Sequence, residues 1–189
     1  MTPAIDLIQL IQSCAPNVAP VTLAKIIRVE STNRMYAIGY KITKNGETYT
    51  LTQQPSNAQE AISWSRYLYA NGYQFDAGPA QVRSTNFTRF GLTPDSVFEP
   101  CLNIHAAGVV LTEFYVRAIK KYGHGQRALV AAVYGYRTGR LGDGTEDISK
   151  VANADVYSYR PILISDGKIN HNSNISIQAT NQNKTYNQK

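Results

Sequence analysis

A single change of hydrophobic period constrains the fold of this chain more than any other feature. Up to Ser31 the apolar residues recur at helical spacing, with Ile5, Ile8 and Ile11 in one stretch and Leu23, Ile26 and Ile27 in the next. Each set lines one face of a helix. In "YAIGYKITKNGETYTLT" the pattern turns to β-branched and aromatic residues on both sides of Asn45-Gly46, the strongest short-range hairpin signal. Beyond it the helical period returns. "PSNAQEAISWSRYLYANG" reads as a helix opened by the capping-box spacing of Ser56 and Gln59 and stopped by Asn71-Gly72. "TPDSVFEPCLNIHAAGVVLTEFYVRAIKKYG" reads as a short helical turn and then a long helix, and "GQRALVAAVYGYRTG" as a further helix whose small residues suit close packing. The expectation is a mainly α fold, a helical bundle with one small β-hairpin near residues 36–52.

A chain of 189 residues, 43% of them hydrophobic, is long enough for one well-buried domain. The texture changes after Gly139. "ISKVANADVYSYRPILI" is read as one more helix or an extended arm, and the Asn/Gln/Ser-rich end has little to bury. We therefore expect a domain over 1–150 and an extension over 151–189, flexible at its end. No run approaches the roughly 20 apolar residues of a membrane span, and the N-terminus lacks the features of a signal peptide. No stable membrane insertion is expected, although a missing signal peptide does not prove a cytoplasmic location. The net charge of +6 favours an anionic partner. The basic residues are scattered, and no finger spacing or aromatic ribonucleoprotein motif accompanies them, so nucleic acid is not expected.

Cys14 and Cys101 lie outside any C-x-x-C pair, which leaves two readings, a pair of buried free thiols or one bridge in an oxidising compartment. The three histidines have no metal-ligand spacing, and neither a metal nor a cofactor is expected.

One acid stands out. Glu30 lies three, four and seven residues after Ile27, Ile26 and Leu23, so it continues an apolar stripe. A carboxyl in apolar surroundings is costly to ionise and can hold a proton near neutral pH, the property a general acid needs when a sugar oxygen leaves. The alternative is that Glu30 snorkels from a helix end or pairs with Arg28 or Arg34.

The order of the other motifs bears on that choice. Glu30-Ser31 ends a helix, "DAGPAQV" follows from Asp76, and "GYRTG" follows from Gly135. In this order the sequence resembles the goose-lysozyme-like lytic transglycosylase (SLT-type) family, most closely the small transglycosylases of type IV secretion and conjugation systems. The family pattern is Glu-Ser at a helix end, then Gly-Leu-Met-Gln, then Ala-Tyr-Asn-x-Gly, and the resemblance runs from about Leu7 to Gly139. It implies an α+β lysozyme-like fold around a glycan cleft, with Glu30 as catalytic acid and base and Ser31 setting the sugar or the glutamate. It also implies that Gly78 admits the glycan to the backbone, that Gln81 lines the cleft and that the Tyr136 hydroxyl lies near the carboxylate. Tyr36, Tyr73, Tyr134 and Tyr136 are candidates to stack on sugar faces. Three departures stand out: Pro79-Ala80 in place of Leu-Met, Arg137 in place of Asn, and Arg34-Met35 in place of Asn-Pro. Arg137 is a candidate contact for a substrate carboxylate or lactyl group.

The reaction implied cleaves the bond between N-acetylmuramic acid and N-acetylglucosamine and closes a 1,6-anhydro ring on the muramic residue, locally opening the cell wall for a secretion machine. The resemblance also implies a periplasmic location, a Cys14–Cys101 disulfide, and peptidoglycan and type IV secretion channel subunits as partners. Asp76 is the only other acid beside a cleft motif. A water-using, goose-type muramidase would call on it, and a non-catalytic glycan-binding assembly factor is the remaining alternative.

Overall fold

The structure, a computed structural model, describes residues 6–44, 46–142, 145–155, 176–179 and 185–187. Its helices are α1 (Leu7–Cys14), α2 (Pro20–Ser31), α3 (Ala58–Ala70), α4 (Pro100–Tyr122), α5 (Gln126–Thr138) and α6 (Thr145–Ala152). The strands are β1 (Ile38–Gly39), β2 (Lys41–Lys44), β3 (Glu47–Leu51), β4 (Asp76–Ala77), β5 (Val82–Arg83), β6 (Ser176–Ala179) and β7 (Thr185–Asn187). The mainly α architecture matches the periodic reading.

Local chemistry accounts for most of the boundaries. Asp6 caps α1 by accepting from the Ile8 N–H at 2.9 Å, and proline sits in the first turn of both α2 and α4, where no backbone donor is needed. The cap of α3 falls one residue later than expected. Asn57, rather than Ser56, accepts from the Glu60 N–H at 3.0 Å, and Glu60 reaches back to the Ser56 N–H at 2.8 Å. Asn is as good a cap as Ser, and a carboxylate in the first turn suits the helix dipole better than Gln59 would.

The β structure is more divided than the single hairpin foreseen. β2 and β3 pair antiparallel with Lys44 opposite Glu47, leaving a two-residue turn in which Gly46 has φ +79°; Asn45 lies outside the described residues. β6 adds to the far edge of β3 and β7 to β6, so parts of the expected extension pair with the hairpin sheet. β1 belongs elsewhere, in a three-stranded sheet of order β1-β4-β5, with Ile38 opposite Ala77 and Asp76 opposite Arg83. Two-residue strands carry no alternation for a sequence to display.

The core is one continuous cluster that takes Ile11 from α1, Leu23, Ile26 and Ile27 from α2, Trp64 and Leu68 from α3, and Ile104 and Leu111 from α4. Full burial of each such aliphatic side chain is worth about 1.5–3 kcal/mol. Close approach of α4 and α5 depends on small residues. A Cβ at Gly135 would fall 2.2 Å from the Phe114 ring, so glycine there sets how near α5 lies and where Tyr136 and Arg137 emerge. A Cys14–Cys101 disulfide joins the end of α1 to the start of α4, with a Cα separation of 5.1 Å. Among the described residues no helix is long and apolar enough to cross a membrane.

Candidate active site

Glu30 occupies the last turn of α2. The helix stops because Thr32 and then Asn33 take left-handed backbone conformations, φ 54° and 62°, conformations uncommon for residues other than glycine. The abrupt stop leaves Glu30 partly exposed beside a cleft of about 270 Å³ lined also by Asp76, Gln81, Arg83, Arg89, Tyr136 and Arg137. Val110, Glu113, Phe114 and Arg117 of α4 line the cleft as well. Among the described residues no three His, Cys, Asp or Glu side chains converge where a metal would sit.

The surroundings of Glu30 differ from the sequence reading. Its apolar neighbours Ile26 and Ile27 are buried beneath it, but its Oε1 accepts from Arg137 Nε at 2.8 Å, with the two side chains 20% and 19% exposed. The carboxyl is therefore not held in a purely apolar niche. Among the described residues it forms an ion pair with a residue 107 positions further on, where Arg28 or Arg34 was the alternative.

Other motif residues act on the wall of the cleft. The hairpin between β4 and β5 carries Gly78 to Gln81. Gly78 is buried at φ +79°, and a Cβ there would meet Asn103 Nδ2 at 2.3 Å. What this glycine admits is thus Asn103, where the resemblance implied glycan. Gln81 lines the cleft, yet its Nε2 donates to the carbonyls of Ala37 at 3.1 Å and Gly78 at 2.8 Å, which fixes the hairpin against β1. Tyr136 also lines the cleft, and its hydroxyl donates to the Ala80 carbonyl at 2.5 Å. Burial, with Glu30 and Asp76 nearby, raises that hydroxyl far above the ordinary tyrosine value, so it stays protonated and can only donate or accept neutrally. Ser31 is buried and donates to the Ile27 carbonyl at 3.1 Å. Tyr134 is not among the cleft-lining residues and lies close to Gly142. Tyr36 packs against Phe98, and Tyr73 sits edge-on to Tyr40. Of the four tyrosines considered for stacking, Tyr136 alone faces the cleft among the described residues.

Asp76 stands in the cleft with Arg83 Nε at 3.2 Å. Burial pushes its carboxyl above the usual carboxylate value, with Arg83 pulling the other way.

Asn103 escaped the sequence reading. Fully buried on α4, it accepts from the Ala80 N–H and donates to the Ala77 and Val97 carbonyls, each at 2.9 Å. The signal that picked out Glu30 was present here too, a polar residue on a buried stripe with Ala107, Leu111 and Phe114. The cleft arginines 83, 89 and 117 were missed for a different reason, since scattered positions reveal no cluster.

A mainly helical domain whose open polar cleft holds a carboxylate on a helix end belongs to the lysozyme-like class. The profile described as "Transglycosylase SLT domain" matches residues 9–154, and the chain belongs to that family. It is 38% identical over 164 residues to the type IV secretion system protein virB1 of Brucella abortus (strain 9-941), covering 82% of this chain and 66% of the relative. Similarity extends to protein virB1 of Agrobacterium fabrum, 34% over 133 residues (70% and 51%), and of Rhizobium radiobacter, 33% over 162 residues (85% and 64%). The chain thus spans about two thirds or less of the length of these relatives. No solved structure matches it significantly.

Proposed function

We propose that the chain is a peptidoglycan lytic transglycosylase that cleaves the β-1,4 bond between N-acetylmuramic acid and N-acetylglucosamine. The observation that carries the reading is Glu30 at the end of α2, which lines one cleft together with Tyr136 and Gln81. In its acid form Glu30 protonates the glycosidic oxygen, and the C1–O bond breaks. The resulting carboxylate takes the proton from the C6 hydroxyl of the same muramic residue, whose oxygen bonds to C1 and closes the 1,6-anhydro ring. No water is consumed, and the attacking hydroxyl already has a high effective concentration. Arg137, whose Nε donates to Glu30 Oε1 at 2.8 Å, orients that carboxyl beside the substrate. Ser31, Gly78 and Tyr134 support the loops and helix ends around this chemistry.

The name of the Brucella relative, type IV secretion system protein virB1, supports a place beside a type IV secretion machine, and the proposal extends to conjugation machines, with the wall opened locally in the periplasm. Residues 1–150 form the catalytic unit in this proposal and 151–189 an extension. The decisive experiment is digestion of purified peptidoglycan by wild-type protein and by Glu30→Gln, with products read by mass spectrometry. Anhydromuramic ends from the wild type alone are expected, and their absence overturns the reading. Because Asp76 shares the cleft, reducing ends in their place would identify a muramidase that activates water.

A further inference from the structure

The cleft holds more positive charge than its acids use. Three carboxylates line it, and each is paired with an arginine: Glu30 with Arg137, Asp76 with Arg83, and Glu113 with Arg89. A fourth arginine, Arg117, lines the same cleft and forms no ion pair among the described residues. Its guanidinium carbon lies 4.1 Å from the centre of the Phe114 ring, and Phe114 is 6% exposed and packed in the core. Arg117 follows Phe114 by three residues and Glu113 by four, the spacings that bring its side chain beside each of theirs on α4. Stacking on a fixed ring restricts a guanidinium in orientation while leaving its in-plane N–H donors available.

We propose that this α4 wall is a carboxylate subsite, in which Arg117, assisted by Arg89, receives an acidic group carried on the side arm of the muramic residue. The inference rests on the reading of the cleft as a peptidoglycan site and adds what that site recognises beyond the sugar rings. A planar fork of donors matches a carboxylate through two parallel hydrogen bonds. Peptidoglycan offers carboxylates from two sources, the lactyl group where the peptide has been removed and the stem peptide where it has not. Arg89 is already engaged by Glu113, so Arg117 supplies the charge that discriminates.

The test is a calorimetric titration of the full chain with the disaccharide N-acetylglucosaminyl-N-acetylmuramic acid, which lacks the bond to be cleaved and is not consumed. The free lactyl acid is compared with its methyl ester, and the stem-peptide form with its fully methylated counterpart. Wild-type protein is expected to bind at least one acid form about tenfold tighter than its ester. Arg117→Gln is expected to bring that ratio to about one without changing the ester affinity, and Arg117→Lys to keep part of it. Which pair shows the effect identifies the source. Equal weakening of acid and ester, or no change in either, overturns the subsite. Arg117 is exposed, so the variant retains its fold, which circular dichroism verifies. A retained ratio without anhydromuramic products would overturn the catalytic reading and leave the subsite standing.

Discussion

Replacing Asn103 by Ala tests whether the wall of the cleft is held from beneath. The substitution leaves the Ala80 N–H and the Ala77 and Val97 carbonyls without the partners they have at 2.9 Å. The Ala77 carbonyl still faces Val82 across the β4–β5 pair, but the Ala80 N–H and the Val97 carbonyl are left buried and unpaired at about 1–3 kcal/mol each, so the sum is about 4 kcal/mol, or roughly 8–16 °C in Tm for a domain of this size. Gly78→Ala should approach the same loss by another route. The new Cβ would lie 2.3 Å from Asn103 Nδ2, so the amide must move and give up its bonds, and alanine at φ +79° adds about 1 kcal/mol. The two changes therefore remove one set of interactions between them. The double variant should lose about 5–6 kcal/mol, whereas independent effects would add to about 9 kcal/mol. Urea unfolding of the four proteins measures this directly. Additive losses, or an Asn103→Ala loss below about 1 kcal/mol, would refute the account of the hairpin.

Three further outcomes follow from the same geometry. Asp76 has its carboxyl raised above 3.8 by burial, so the folded state holds an extra proton and stability falls as pH rises from about 4 through the folded value; Asp76→Asn should gain Tm relative to wild type between about pH 4 and pH 7, and a difference flat with pH counts against this. The Cys14–Cys101 disulfide closes a separation of 87 residues and by chain entropy contributes roughly 4.6 kcal/mol; reductant should lower Tm by roughly 9–18 °C, and an unchanged melting curve would contradict the role of the link. Tyr136→Phe removes the donor to the Ala80 carbonyl and should cost about 1–2 kcal/mol, equally at pH 7 and 9 because the hydroxyl titrates well above that range; a difference that changes between those pH values would show that the hydroxyl ionises.

What the sequence determined by itself was local or ordered along the chain. Periodicity located the helices, Asn45-Gly46 located the β2–β3 turn, and the succession of Glu30-Ser31, the Gly78–Gln81 stretch and Gly135–Gly139 indicated the family. These features survive as text because helical faces and motif order depend on spacing alone. Tertiary structure decided which side chains answer one another. It brought Arg137 onto Glu30 across 107 residues, seated Asn103 under Gly78 and turned the Tyr136 hydroxyl to the Ala80 carbonyl. It also gathered scattered arginines into one cleft. Such pairings depend on how closely two helices approach and where a hairpin folds back, and both follow from packing against the rest of the core, which no local run of residues records.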